Sequence, residues 1–134
     1  MLAELTIRDL AIIDELHLRF GEGLNVLTGE TGAGKSIIVD AVSLLLGGRG
    51  DVGLIRAGAG RASVEGVFRL DAETRAAVEP ILEADGLEGD EPGILVLSRE
   101  IRKEGRNICR INGRAVSLKS LQSVGERLVD IHGQ

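Results

Sequence analysis

The chain has 134 residues, 43% hydrophobic and 28% charged, with a formal net charge of −5. That composition suits one globular domain with its own core and excludes a disordered chain, and no stretch approaches the ~20 continuous apolar residues of a membrane span. The single cysteine, Cys109, excludes an internal disulfide framework and fits a reducing, cytoplasmic setting; only two aromatic residues, Phe20 and Phe68, exclude a single-strand nucleic-acid platform of stacked rings.

In chain order, Leu2–Asp9 alternates apolar and polar, the period of a half-buried strand, and Met1 opens on it with no basic leader region. Asp14–Phe20 alternates too, with Leu16, Leu18 and Phe20 on one face. After the turn Gly21–Gly23, Leu24–Gly29 reads as a third strand antiparallel to the second. Lys35–Gly47 reads as a helix stopped by glycine, apolar on most of its circumference and therefore expected to be buried. Gly47–Arg61 is expected to be a mobile glycine-rich loop. Ala62–Leu70 alternates as a strand; Asp71 can cap the helix that follows, with Glu73 and Glu79 on its solvated face. Beyond the loop Asp85–Gly93 come strands Ile94–Ile101 and Asn107–Ile111, then the hairpin turn Asn112–Gly113. A short helix, Ser117–Arg127, and a last strand, Leu128–Ile131, complete the reading. Charge is uneven: 71–91 holds eight acids against one base, and 99–114 holds six bases against two acids. A net negative chain is not drawn to DNA as a whole, but the basic cluster could touch DNA phosphates, with its arginines on one exposed strand face.

"GETGAGKS", Gly29–Ser36, matches the phosphate-loop pattern G-x-x-x-x-G-K-S in full. Gly29, Gly32 and Gly34, with Glu30, Thr31 and Ala33 between them, let the backbone curl so that successive N–H groups face phosphate oxygens. The helix that follows adds its positive end, Lys35 reaches the β- and γ-phosphates, and Ser36 offers a hydroxyl to Mg²⁺. A glycine turn that merely joins strand to helix is the plain alternative. Cleavage also needs an acid to hold Mg²⁺ and a group to position water. Leu10–Glu15 contains an acid after an apolar run, so Asp14 or Glu15 is one candidate, although it precedes the loop and starts a strand. Asp130 follows only two apolar residues. Both read better as ordinary strand residues, so the chain is expected to bind a nucleotide without cutting it alone.

"LTGETGAGKSIIVDAVSLLLGGRGD", "LIRAG" and "LVDIHGQ", with the opening "LAELTIRDLAIIDELHLRFGEGLNV", resemble the N-terminal head segment of the RecN family, SMC-like DNA double-strand-break repair ATPases built on an ABC-type head. The resemblance covers essentially the whole chain. It implies a mixed α/β fold, the N-terminal lobe of a P-loop NTPase head, with antiparallel strands around a strand–loop–helix unit. Residues 1–134 would then be the N-terminal part of a head whose coiled coil and C-terminal half lie elsewhere. It implies ATP and Mg²⁺ as ligands and Gln134 as the residue that contacts Mg²⁺ and the attacking water. Its implied partners are the C-terminal half of the same head, a second head in a homodimer, and double-stranded DNA or its ends. A cytoplasmic, nucleoid-associated location without a membrane follows. Arg49 resembles an arginine that such heads place near nucleotide or DNA. Two positions depart from the pattern. Ile37 stands where a hydroxyl residue is common, leaving only a backbone N–H for the α-phosphate. Ala11, with Arg8 nearby, stands where a basic residue near the γ-phosphate is found.

Other classes remain open on sequence. A small standalone phosphotransferase would need Ser98–Arg110 as a catalytic lid. A GTP switch would use Asp90–Gly93, although no N-K-x-D guanine reader occurs. A scaffold would bind nucleotide only when assembled with its other half. His132 is expected to shape the terminal loop, His17 to face solvent and Cys109 to be a small core residue.

Overall fold

The structure, a computed structural model, describes residues 1–20 and 32–132. The strand expected at 24–29, the first three residues of the phosphate loop and Gln134 lie outside the described residues. Among the described residues, six strands form one sheet in the order β2-β1-β3-β4-β5-β6, every neighbouring pair antiparallel. They are β1 (Leu2–Leu10), β2 (Ile13–Arg19), β3 (Arg61–Arg69), β4 (Ile94–Arg102), β5 (Ile108–Ile111) and β6 (Arg114–Val116). Among the described residues three α-helices accompany them: α1 (Gly32–Leu45), α2 (Ala72–Ala84) and α3 (Leu118–His132).

The period-2 pattern sorts the sheet into two faces. Leu5, Ile7, Val64, Phe68, Leu95, Leu97, Ile101 and Ile111 point to one face and are buried there. Ile37 and Ala41 of α1 begin a buried stripe continued by Leu44 and Leu45, which packs on β3 and β4. Helix α3 packs on β5 and α2 packs on α3, and Val78 and Leu82 of α2 are buried. The opposite face carries Thr6, Arg8, Arg61, Glu65, Glu100 and Arg110.

Local chemistry sets the ends. Asp71 Oδ1 accepts from the Thr74 N–H at 2.8 Å and caps α2 as expected. Asn112 and Gly113 have φ of 50° and 84°, the left-handed pair a two-residue hairpin requires. The Asn112 side chain also accepts from Val96 N–H and donates to Leu87 O, tying the hairpin to the α2–β4 loop. Ser117 Oγ accepts from Ser120 N–H at 3.1 Å and opens α3.

Three expectations are corrected. Residues 128–131 are not a strand: α3 runs unbroken to His132. Its buried positions Leu121, Val124, Gly125 and Leu128 follow one helical stripe, which outweighs the strand-like composition of the last turn. Residues 47–61, expected to be mobile, form a loop tied to the rest of the chain. Asp51 caps a 3₁₀ turn, Val52–Leu54, and the chain then docks on the β1–β2 turn: Ala11 N–H donates to Leu54 O and Arg56 N–H to Asp9 O. Helix α1 is not buried all round, because only one sheet lies against it among the described residues, and Val39 is 61% exposed.

Candidate functional site

The site is built at the start of α1. Gly32–Gly34 already belong to the helix, so the second half of the phosphate-loop motif forms its first turn. That turn contains no acidic residue, so no carboxylate of its own opposes the positive helix end. Lys35 and Ser36 are exposed, whereas Ile37, the next residue, is buried toward the sheet. The helix thus turns its ammonium and hydroxyl outward while its apolar stripe fixes it below. An ammonium, a hydroxyl and the N–H groups of a helix start are a donor set that suits a magnesium-bound polyphosphate.

The other end of α1 is held by a residue that the sequence reading placed on the surface. Arg99 is 2% exposed. Its Nη1 donates to Leu44 O at 2.9 Å and to Gly48 O at 2.7 Å, the carbonyls at the end of the helix. Burial pushes the guanidinium down from its ordinary value, and it remains a cation that complements the helix C-terminus. Period 2 was the available signal: Leu95, Leu97, Arg99 and Ile101 share the inward parity. Cys109 faces Arg99 across the β4–β5 ladder. Burial pushes its thiol up, with the Arg99 charge opposing, so Cys109 is a buried and inert core residue.

Arg102 and Arg110 of the basic cluster, together with Arg61, surround a carboxylate on the opposite face. Arg102 Nε donates to Glu100 Oε2 at 2.6 Å, Arg61 Nη1 lies 3.5 Å from the same oxygen, and Arg110 Nη1 lies 3.6 Å from Oε1. Burial alone pushes the Glu100 carboxyl up. The Arg102 hydrogen bond and the charges of Arg102, Arg61 and Arg110 outweigh it and hold the carboxyl below its ordinary value. A depressed folded-state pKa makes this contribution complete above the ordinary carboxylate range and loses it as pH falls through the folded value. Glu100→Gln is expected to cost about 1–3 kcal/mol near neutral pH and to flatten the acid limb of stability. Urea midpoints measured from pH 3 to 7 check both.

Arg114, by contrast, donates to Gly86 O and braces the α2–β4 loop that contains Asp90–Gly93. The segment Ser98–Arg110 is the paired hairpin of β4 and β5, not a lid.

The candidate acids before the loop are paired with arginines. Asp14 lies 3.6 Å from Arg56, which also meets Asp9 at 3.7 Å, and Glu15 lies 3.4 Å from Arg8. Among the described residues no group of three or more His, Cys, Asp or Glu could hold a metal ion. Arg49 is exposed and lines a cavity of about 250 Å³ with Asp40, Ser43 and Asp51. His17 faces solvent and contacts Glu4 at 3.3 Å. Asp130 and His132 fall in the last turn of α3. No helix among the described residues is long and apolar enough to cross a membrane.

A phosphate-loop helix seated on an antiparallel sheet defines the class, and the chain belongs to the AAA domain family, whose model matches residues 4–131. The fold is that of SMC heads. A chain from the structural biochemistry of ATP-driven dimerization and DNA-stimulated activation of SMC ATPases superposes with a TM-score of 0.70 at 22% identity, covering 94% of this chain and 78% of that one. Among individual proteins, the chain is similar over its whole length to the DNA repair protein RecN. Identity is 52% over 134 residues with RecN of Halalkalibacterium halodurans and 48% with that of Bacillus subtilis, in each case 100% of this chain and 23% of the relative. The resemblance read from the sequence is borne out, and the chain spans about a quarter of the length of the curated relatives it matches.

Proposed function

We propose that the chain is the N-terminal, ATP-binding part of the head of a RecN-like DNA repair ATPase. One observation carries this: the motif's ammonium and hydroxyl, Lys35 and Ser36, stand exposed at the start of a helix whose first turn holds no acid, on an SMC-head fold. Lys35 binds the β- and γ-phosphates, the N–H groups of Gly29–Ile37 line the phosphates, and Ser36 holds Mg²⁺. Gln134 positions Mg²⁺ and the attacking water. Bound MgATP supplies the reacting γ-phosphoryl group, and this chain's residues orient it. The acid that completes cleavage belongs to the C-terminal half of the head, which also covers the exposed Val39 side of α1, and a second head completes the catalytic pair.

The exposed arginines suit duplex DNA as partner. Arg61, Arg102 and Arg110 converge on one carboxylate, which leaves that patch net positive. Arg61→Ala and Arg110→Ala are each expected to lower the salt-dependence slope of duplex binding by about 1. Unchanged slopes in a fluorescence anisotropy titration would move DNA contact to another surface.

The test of the nucleotide reading is a MgATP titration of the chain, alone and with the remaining head polypeptide. Binding without turnover is expected in the first case, with turnover appearing in the second. Steady hydrolysis by the chain alone would overturn the division of labour, and phosphate transfer to a small acceptor would favour a phosphotransferase.

A further inference from the structure

We propose that Arg99 is a positioning residue for the nucleotide site, acting through the far end of the phosphate-binding helix. This rests on the reading of α1 as that helix. The apolar contacts of Ile37, Ala41, Leu44 and Leu45 attract α1 to the sheet but are non-directional. Hydrogen bonds fix its place along its own axis. Arg99 supplies two of them from the middle of β4, to Leu44 O and Gly48 O on either side of Gly47. Gly47 has φ of 97° and ends the helix.

A second element grips the same joint. Gln122 Nε2 of α3 donates to Gly47 O at 3.0 Å, and Gly125 lies so close that a Cβ there would sit 2.4 Å from Leu46 O. Among the described residues the hydrogen-bond partners of Arg99 are carbonyls, no carboxylate pairs with it, and its buried Nε has no partner. Burying a cation on these terms costs more than an aliphatic side chain would, so its return is geometric: one Nη1 amino group spans two carbonyls that an aliphatic group cannot hold. Helix α1 has 14 residues and is about 20 Å long. A packed helix moves as one body, so a shift at Leu44–Gly48 is carried to Lys35 and Ser36.

Hydrogen exchange on the chain without nucleotide, followed by MgATP titration, tests this. In Arg99→Met, exchange is expected to quicken at least tenfold in residues 35–41 as well as 44–50, with protection of β1, β3 and β4 kept. Arg99→Lys, which retains one donor group, is expected to recover part of it, and MgATP affinity is expected to fall about tenfold in Arg99→Met and less in Arg99→Lys. Acceleration confined to 44–50, loss of protection across the whole sheet, or unchanged MgATP affinity in the folded variant would each overturn the proposal. If Arg99→Met does not fold, Gln122→Ala decides by the same pattern at smaller amplitude, since it loosens the joint without opening the core. Wild-type chain that ignores MgATP as completely as Lys35→Ala does would sink the nucleotide reading instead, and the exchange pattern would still decide whether Arg99 positions α1.

Discussion

Lys35→Ala is expected to weaken MgATP binding by about a hundredfold while leaving the fold unchanged. The side chain is exposed at the start of α1, so removing it opens no cavity, and the stability change should stay within about 0.5 kcal/mol. The affinity loss is larger because hydrogen bonds between charged groups contribute about 1.5–3 kcal/mol each, and about 1.4 kcal/mol is a tenfold change. Lys35→Arg is not expected to restore binding, because a planar fork does not replace a compact ammonium inside a curled loop. Calorimetric titration with MgATP, beside a thermal melt without nucleotide, separates the two effects. An affinity within threefold of wild type would mean that Lys35 does not touch the phosphates. GTP, in the same titration, is expected not to outcompete ATP.

Gly125→Ala is expected to destabilise the chain by about 1–2 kcal/mol, although alanine is the better helix former. Propensity alone favours the substitution by about 1 kcal/mol in a helix interior. Against it, the added Cβ would lie 2.4 Å from Leu46 O and 2.9 Å from the Leu46 carbonyl carbon, both backbone atoms that cannot swing aside. Forcing such atoms apart costs about 1–3 kcal/mol or more, so the clash wins. The melting temperature should fall by about 5–10 °C. Gly60→Ala is the control, since a Cβ there meets nothing within 4 Å, and it should be neutral or slightly stabilising. Equal effects at the two sites would mean that α3 does not press on the end of α1.

These expectations divide by what a linear pattern can carry. The strands Ala62–Leu70 and Ile94–Ile101, the Asp71 cap, the Asn112–Gly113 turn and the phosphate-loop motif were all legible. Each depends on residues within a few positions of one another, where side-chain period, capping and backbone freedom act directly. The last turn of α3 was misread because a short β-branched run has no period of its own, and only its packing with Leu121 and Val124 settles it. The docking of residues 54–56 within the loop 47–61 was not legible because their partners, Asp9 and Ala11, lie some forty residues earlier.

By itself, then, the sequence determined the phosphate-loop motif, the family and most of the local elements. Pairing of β1 with β3, the docking of 54–56 on the β1–β2 turn, and the split of the basic cluster were decided only by tertiary structure. The physical reason is that a hydrogen bond or a desolvated charge depends on what lies across space. Arg99 and Arg102 are three residues apart and alike in chemistry, yet one strand's alternation sends the first into the core beneath the helix and leaves the second on the open face.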